Sequence, residues 1–179
     1  ARPLQTLLRS LEQQTYLNFE VVVVVGPTQD DTLTILDPYA RRVRIVQCPV
    51  ANLGRSRNIG IQASSGDIVA FIDDDAVPSI NWLAQLAKVF ADPQVDGTGG
   101  AVFRIDPPRA ELQFRLGIAS SLAEAVDIRD DWLEGLTTPR LGRYLAPRVM
   151  GTNMAMRRQA LLDVGGFDEF YEWVYDETD

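Results

Sequence analysis

The sequence contains no histidine. That absence excludes Ser-His-Asp and Cys-His catalysis and every histidine-ligated metal site. Its single cysteine, Cys48, excludes an internal disulfide framework and any multi-cysteine metal site. A metal ion held by this chain must therefore sit on oxygen ligands, the chemistry of Mg2+ or Mn2+. Lysine is almost missing: among 17 basic residues only Lys88 is not an arginine. Arginine suits planar recognition of phosphate, although genome composition produces the same bias. No apolar run exceeds the five residues of Val21–Val25, far below a membrane span. No signal peptide opens the chain, and its first residue is Ala1 rather than Met.

What is present points to one folded domain. At 179 residues the chain is long enough to bury a core, and 46% hydrophobic content argues against disorder. The net charge of −8 is local: residues 163–179 carry seven acids and no base, and without them the net is −1. A single acidic cluster is not a polyanionic surface, and it argues against non-specific nucleic-acid binding.

The pattern alternates strand and helix. Leu4, Leu7, Leu8 and Leu11 follow helical spacing and predict a helix over residues 3–16. Phe19 to Val25 reads as a strand covered on both faces, ended by Gly26-Pro27. Asp30 or Asp31 caps a short helix that Asp37-Pro38 stops. Val43 to Cys48 is the next strand, Asn52 caps a helix through about Ser64, and Asp67 to Ile72 is another buried strand. Pro78-Ser79 opens a helix to Phe90. Residues 95–105 read as a strand in which Gly97, Gly99 and Gly100 mark a bend or close approach. Beyond that, the spacing predicts a helix over 109–126, a patternless stretch over 127–148, a strand from Val149 to Met156 and a short helix over 159–164. The expected class is α/β, with a largely parallel sheet and flanking helices. The chain opens on a helix with no strand before it and stops inside the acidic cluster, so it reads as a piece of a longer protein.

Four segments carry chemistry. Asp73-Asp74-Asp75 follows the apolar strand, where ligands bind in open α/β sheets. Three adjacent carboxylates repel one another, and a divalent cation offsets that repulsion; a solvated acidic loop or a helix cap is the plainer reading. Continued extended backbone would put Asp73 and Asp75 on one side and Asp74 on the other. In Asn52-Leu-Gly-Arg-Ser-Arg-Asn-Ile-Gly60, Arg55 and Arg57 stand near a helix start that favours anions, or else on an ordinary surface turn. Asp176-Glu177 offers neighbouring carboxylates of which one can serve as a base, or else an exposed acidic segment. Gly165-Gly166 predicts a helix C-cap and tight turn, with Phe167 and Trp173 as packing residues or as the lining of a sugar cleft.

Taken in order, these segments resemble the family 2 glycosyltransferases of the GT-A fold. The matching text is NLGRSRNIGIQASSGDIVAFIDDDAVPSINWL at 52–83, GTNMAMRRQALLDVGGFDEF at 151–170 and DETD at 176–179. The resemblance implies a GT-A-like (Rossmann-like) domain over 1–179, with residues 1–105 binding a nucleoside-diphosphate sugar and 106–179 serving the acceptor and base. It implies inverting transfer to a saccharide or other hydroxyl acceptor, in polysaccharide or glycoconjugate synthesis. It assigns Asp75 and Asp73 to Mg2+ or Mn2+, with Asp73 also near the ribose or sugar and Asp74 between them. Arg57 corresponds to the family's arginine near the donor nucleotide, and Asp30 to an acidic residue after the second strand. Glu177 takes the base's place, with Asp176 second. Gly151-Thr152-Asn153 matches the strand leading to the acceptor side.

The chain departs from the family pattern in three places. The family's first strand is missing, Val25-Gly26-Pro27 replaces the acid that commonly ends the second strand, and Asp176-Glu177 reverses the family's Glu-Asp order. A haloacid-dehalogenase-type phosphatase also places Asp-x-Asp after a strand, but it needs a later lysine and Lys88 stands too early. A non-catalytic nucleotide- or glycan-binding module and a sugar nucleotidyltransferase of related fold are the alternative functions. Cysteine usage, the lack of a targeting segment and the cytosolic supply of sugar nucleotides place the expected protein in the cytoplasm. Association with the inner face of the membrane would come only through segments outside this chain.

Overall fold

The computed structural model describes residues 2–100, 102–106, 109–112, 118–119, 125–126 and 151–170. Helix α1 (Arg2–Glu12) buries Leu4, Leu7, Leu8 and Leu11, the stripe its spacing predicts. Strand β1 (Val21–Val25) pairs in parallel with β2 (Val43–Gln47), Val21 opposite Val43 and Val25 opposite Gln47. Between them lie α2 (Thr32–Leu36) and a 3-10 turn at Asp37–Tyr39. Alternation along β1 decides its two faces. Val21, Val23 and Val25 join Leu4, Leu8, Leu36 and Val43 in one core cluster. Val24 meets α3 (Leu53–Ala63) at Gly60. The five-valine strand is therefore covered by helices on both sides, and its continuous apolar composition follows from that.

Strand β3 (Ile68–Phe71) belongs to a second sheet. After helix α4 (Trp82–Val89) comes β4 (Gly97–Gly99), and both β3 and β4 pair antiparallel with β9 (Met154–Arg157). Helix α5 (Arg158–Asp163) follows directly. Ile61 of α3, Leu161 of α5, Met154 and Phe167 form the second core cluster, against Val69, Phe71 and Met156. The Arg157 guanidinium donates to the carbonyls of Phe90, Asp92 and Val95 at 3.1, 2.9 and 2.8 Å, tying β9 to the end of α4.

The α/β layering is as the sequence predicts, but the pairing direction differs. Among the described residues parallel pairing is confined to β1 and β2, and the second sheet is antiparallel. A helical crossover imposes parallel pairing between strands close in sequence. More than fifty residues separate β4 from β9, and no such constraint acts there. The expected strand over 95–105 is broken into β4 and β5 (Phe103–Asp106). Where the expected helix over 109–126 falls on described residues, strands stand instead: β6 (Arg109–Leu112) pairs with β5, and β7 (Ile118–Ala119) pairs with β8 (Ala125–Val126). Apolar spacing alone does not separate these outcomes, and strand pairing overrides helix propensity. The stretch 127–148 lies outside the described residues.

Strands β1 and β3 flank one open cleft of about 1220 Å3, floored by α1 leucines and by Leu83, Leu86 and Phe90 of α4. Among the described residues, β1 bonds only to β2 and β3 only to β9, so each presents an edge to that cleft. Gln14 fixes the far wall. Its side chain donates to the Ser79 carbonyl at 2.7 Å and accepts the Leu83 N–H at 3.0 Å, locking the end of α1 to the start of α4.

Candidate active site

The carboxyl ends of β1, β2 and β3 open at the same end of the cleft, and each delivers one expected segment. After β1 come Gly26 to Asp30, after β2 the start of α3, and after β3 the three aspartates. The α3 start is made by Asn52, whose Oδ1 accepts the Arg55 N–H at 2.7 Å. This cap orders the first turn, where free N–H groups and the helix dipole favour an anion. Arg57 then enters the protein rather than solvent: it is only 8% exposed. Its guanidinium carbon lies 5.9 Å from the Phe71 ring centre and 5.2 Å from that of Phe167.

Strand β3 ends at Phe71, and the Ala76 N–H bonds the Asp73 carbonyl at 3.1 Å to close a turn. The extended alternation that would separate Asp74 from its neighbours stops before it reaches them. Asp73, Asp74 and Asp75 are all among the residues that line the cleft. Asp73 is exposed as a residue, but its carboxyl is partly desolvated. That loss of hydration pushes its pKa up, and the charges of Asp75 and Asp74 add to the effect. The Thr152 hydroxyl and the Arg57 charge act in the opposite sense. The Asp73 N–H also lies 3.4 Å from Thr152 Oγ1.

Among the described residues no three side chains converge as a complete metal cage. The donor set instead fits a hard cation that takes one or two carboxylates and completes its shell with phosphate oxygens and water. Desolvation is the main cause that raises Asp73, and the charges of Asp75 and Asp74, which add to it, are the repulsion such a cation offsets.

Asp30 lies on the cleft wall but is engaged by its own loop. Its Oδ1 accepts the Thr28 hydroxyl at 2.7 Å and the Thr32 N–H at 3.0 Å. The bonds from Thr32 and Thr28 lower its pKa from 3.8 to about 2. The folded value lies below the unfolded one, so these bonds stabilise the loop at neutral pH and are lost as pH falls from about 4 through about 2. The Asp30 carboxyl carbon, followed by NMR, is therefore expected to titrate near 2, and Thr28→Val to move that midpoint back toward 3.8. A midpoint already near 3.8 in the wild type would disprove the loop assignment.

Residues 166–169 dock on the start of α3. Asn58 Nδ2 donates to the Phe167 carbonyl at 2.9 Å, and the Phe167 N–H donates to Asn58 Oδ1 at 2.8 Å. Asn52 Nδ2 donates to the Glu169 carbonyl at 2.8 Å. Gly54 eases this approach: a Cβ there would stand 3.1 Å from the Asp168 carbonyl oxygen, and the loop would have to give by a few tenths of an ångström. In sequence the docked loop is followed by residues 171–179. Glu177 and Asp176 fall in that stretch, outside the described residues.

Comparison with known proteins decides the family. The sequence model described as Glycosyl transferase family 2 matches residues 1–165. The chain belongs to this glycosyltransferase family. Two relatives come from Haloferax volcanii. The glucosyl-dolichyl phosphate glucuronosyltransferase is 26% identical over 90% of this chain and 50% of its own length. The glycosyltransferase AglE is 32% identical over 93% of this chain and 52% of its own length. The chain thus spans about half the length of these relatives. Among solved structures, a mannosyltransferase from Pyrobaculum calidifontis in complex with GDP-Man and Mn2+ superposes with a TM-score of 0.68. It is 23% identical and covers 94% of this chain and 44% of its own. At that identity the likeness establishes the fold, which is that of the GT-A glycosyltransferases.

Within this family frame, the contacts made by four site neighbours lie beyond sequence reading. Thr152 touches Asp73 from a 3-10 turn at Gly151–Asn153 where a strand is expected, and the strand begins only at Met154. Trp82 donates its indole N–H to Asn153 Oδ1 at 2.9 Å, which holds that turn against α4. Phe167 does pack, as expected, but against the Arg57 guanidinium. The pairing of Asn58 with the Gly-Gly-Phe turn has no sequence signal beyond the small residues that permit it. Among the described residues no helix is long and apolar enough to cross a membrane.

Proposed function

We propose that this chain forms the donor-binding and transfer domain of an inverting glycosyltransferase that uses a nucleoside-diphosphate sugar. The observation that carries the reading is the meeting of Asp73, Asp74 and Asp75 with Arg57 and the capped start of α3 at one end of the cleft. That end offers cationic and N–H groups for phosphate and paired carboxylates for a cation. Residues 1–105 are assigned to the donor and 106–179 to the acceptor.

Asp75 is the direct metal ligand in this reading, with Asp73 shared between the metal and the sugar nucleotide. Mg2+ or Mn2+ bound there supplies neutralisation of the negative charge on the diphosphate. Arg57 and the α3 N–H groups orient the donor. Glu177, or Asp176 beside it, takes the proton from the acceptor hydroxyl. The acceptor oxygen then forms a bond to the anomeric carbon as that carbon's bond to the diphosphate oxygen breaks. One displacement inverts the centre, and no enzyme nucleophile is needed, in keeping with a chain without histidine. The acceptor is a saccharide or another hydroxyl compound.

Calorimetric titration with UDP, GDP and dTDP, each with and without Mn2+, tests the reading. One nucleotide is expected to bind, and only when Mn2+ is present. Binding that ignores the metal would reject the carboxylate assignment and favour a plain binding module.

A further inference from the structure

We propose that Phe167 is a positioning residue, held by Asn58, whose ring presets the Arg57 guanidinium at the donor end of the cleft. The inference rests on the donor-site reading above and assigns a further residue to it.

Arg57 is only 8% exposed, and a buried guanidinium needs partners in place of the water it has lost. Two aromatic faces are among them: the Phe71 and Phe167 centroids lie 5.9 and 5.2 Å from the Arg57 Cζ. The two rings meet edge to face at 5.5 Å and 86°. Cation–π attraction gains strength in such a desolvated place.

The two rings are anchored differently. Phe71 is the last residue of β3, in register with Met154, so the sheet fixes it. Phe167 follows a glycine turn and has no strand to hold it. Its backbone is gripped on both sides by the one Asn58 side chain, N–H to Oδ1 and carbonyl to Nδ2. Asn58 is the residue after Arg57 on α3. The circuit therefore closes within a few ångströms: α3 holds the turn through Asn58, and the turn holds the Arg57 head through Phe167. Asp73 stands two residues beyond Phe71, at the end of the same strand extension. A long arginine side chain otherwise loses its torsional freedom when it meets a phosphate. Here the ring keeps the head in place before the ligand arrives, and preorganisation of this kind lowers the cost of binding.

The test uses the full chain with UDP and GDP as probes, in Mn2+, by calorimetry with thermal melts alongside. Phe167→Leu is expected to weaken binding of the nucleotide that the wild type takes by about tenfold at unchanged stoichiometry. Phe167→Tyr, which keeps the ring, restores most of the affinity. In an Arg57→Gln background Phe167→Leu adds nothing further, because the two act as one unit. A merely structural phenylalanine would lower the melting temperature and the bound fraction without changing the dissociation constant. That result, or full additivity with Arg57→Gln, overturns the proposal while leaving the donor site intact. Should Arg57→Gln itself leave the affinity unchanged, or the wild type bind neither nucleotide, the donor-site reading is at fault and this proposal falls with it. If leucine lowers the folded fraction, Phe167→Met makes the same comparison.

Discussion

Asp75→Ala is expected to weaken Mn2+-dependent nucleotide binding by about 100-fold or more and to abolish sugar transfer. The magnitude follows from what a directly bound carboxylate does. Loss of a group that only orients a ligand costs about 10- to 100-fold in metal affinity, and loss of the ligand itself costs at least the upper figure. Asp73→Ala should weaken binding as well, since Asp73 shares the cleft end and carries the strained charge. Glu177→Gln should behave differently: turnover falls by about 10²- to 10⁴-fold, while metal-dependent binding stays as in the wild type. Calorimetry and a transfer assay on the same preparations separate the two classes. Metal-dependent binding that survives in Asp75→Ala would remove that residue from the metal site.

Gly166→Ala is expected to destabilise the fold by about 2–4 kcal/mol, lowering the melting temperature by about 5–15 °C. Gly166 has φ +82°, in the left-handed region where a Cβ is strained. A Cβ there would also run into the Asn58 amide oxygen, the atom that accepts the Phe167 N–H. Asn58 would have to swing away, and both of its bonds to Phe167 would go with it. Gly165 supplies the internal control: its φ is +89°, but a Cβ there meets nothing within 4 Å. Gly165→Ala therefore bears only the backbone strain, about 1–2 kcal/mol. Thermal melts of both variants check the argument. Equal shifts would show that the contact with Asn58 contributes nothing.

Local chemistry made the first part of this molecule readable. The Leu4, Leu7, Leu8 and Leu11 stripe, the valine strand and the Asn52 cap depend on neighbours within one or two turns, and all three stand as their spacing predicts. The position of the three aspartates after a buried strand was readable for the same reason. The ordered motifs carried the family, and the missing histidine narrowed the chemistry to carboxylates and arginine.

Tertiary structure decided the rest. Whether β9 runs with or against β3 depends on the path of a long connection, and no residue of β9 encodes it. Helix or strand at residues 109–112, 118–119 and 125–126 was settled by which partner strand came alongside. Asn58 and Phe167 lie 109 residues apart in sequence, and neither type of side chain announces the other. Their contact exists because α3 and the turn after α5 pack on the same core of Ile61, Met154 and Leu161. Sequence periodicity reports the environment averaged along an element. The orientation of a single guanidinium depends on atoms brought from elsewhere in the chain, and only the packed structure supplies them.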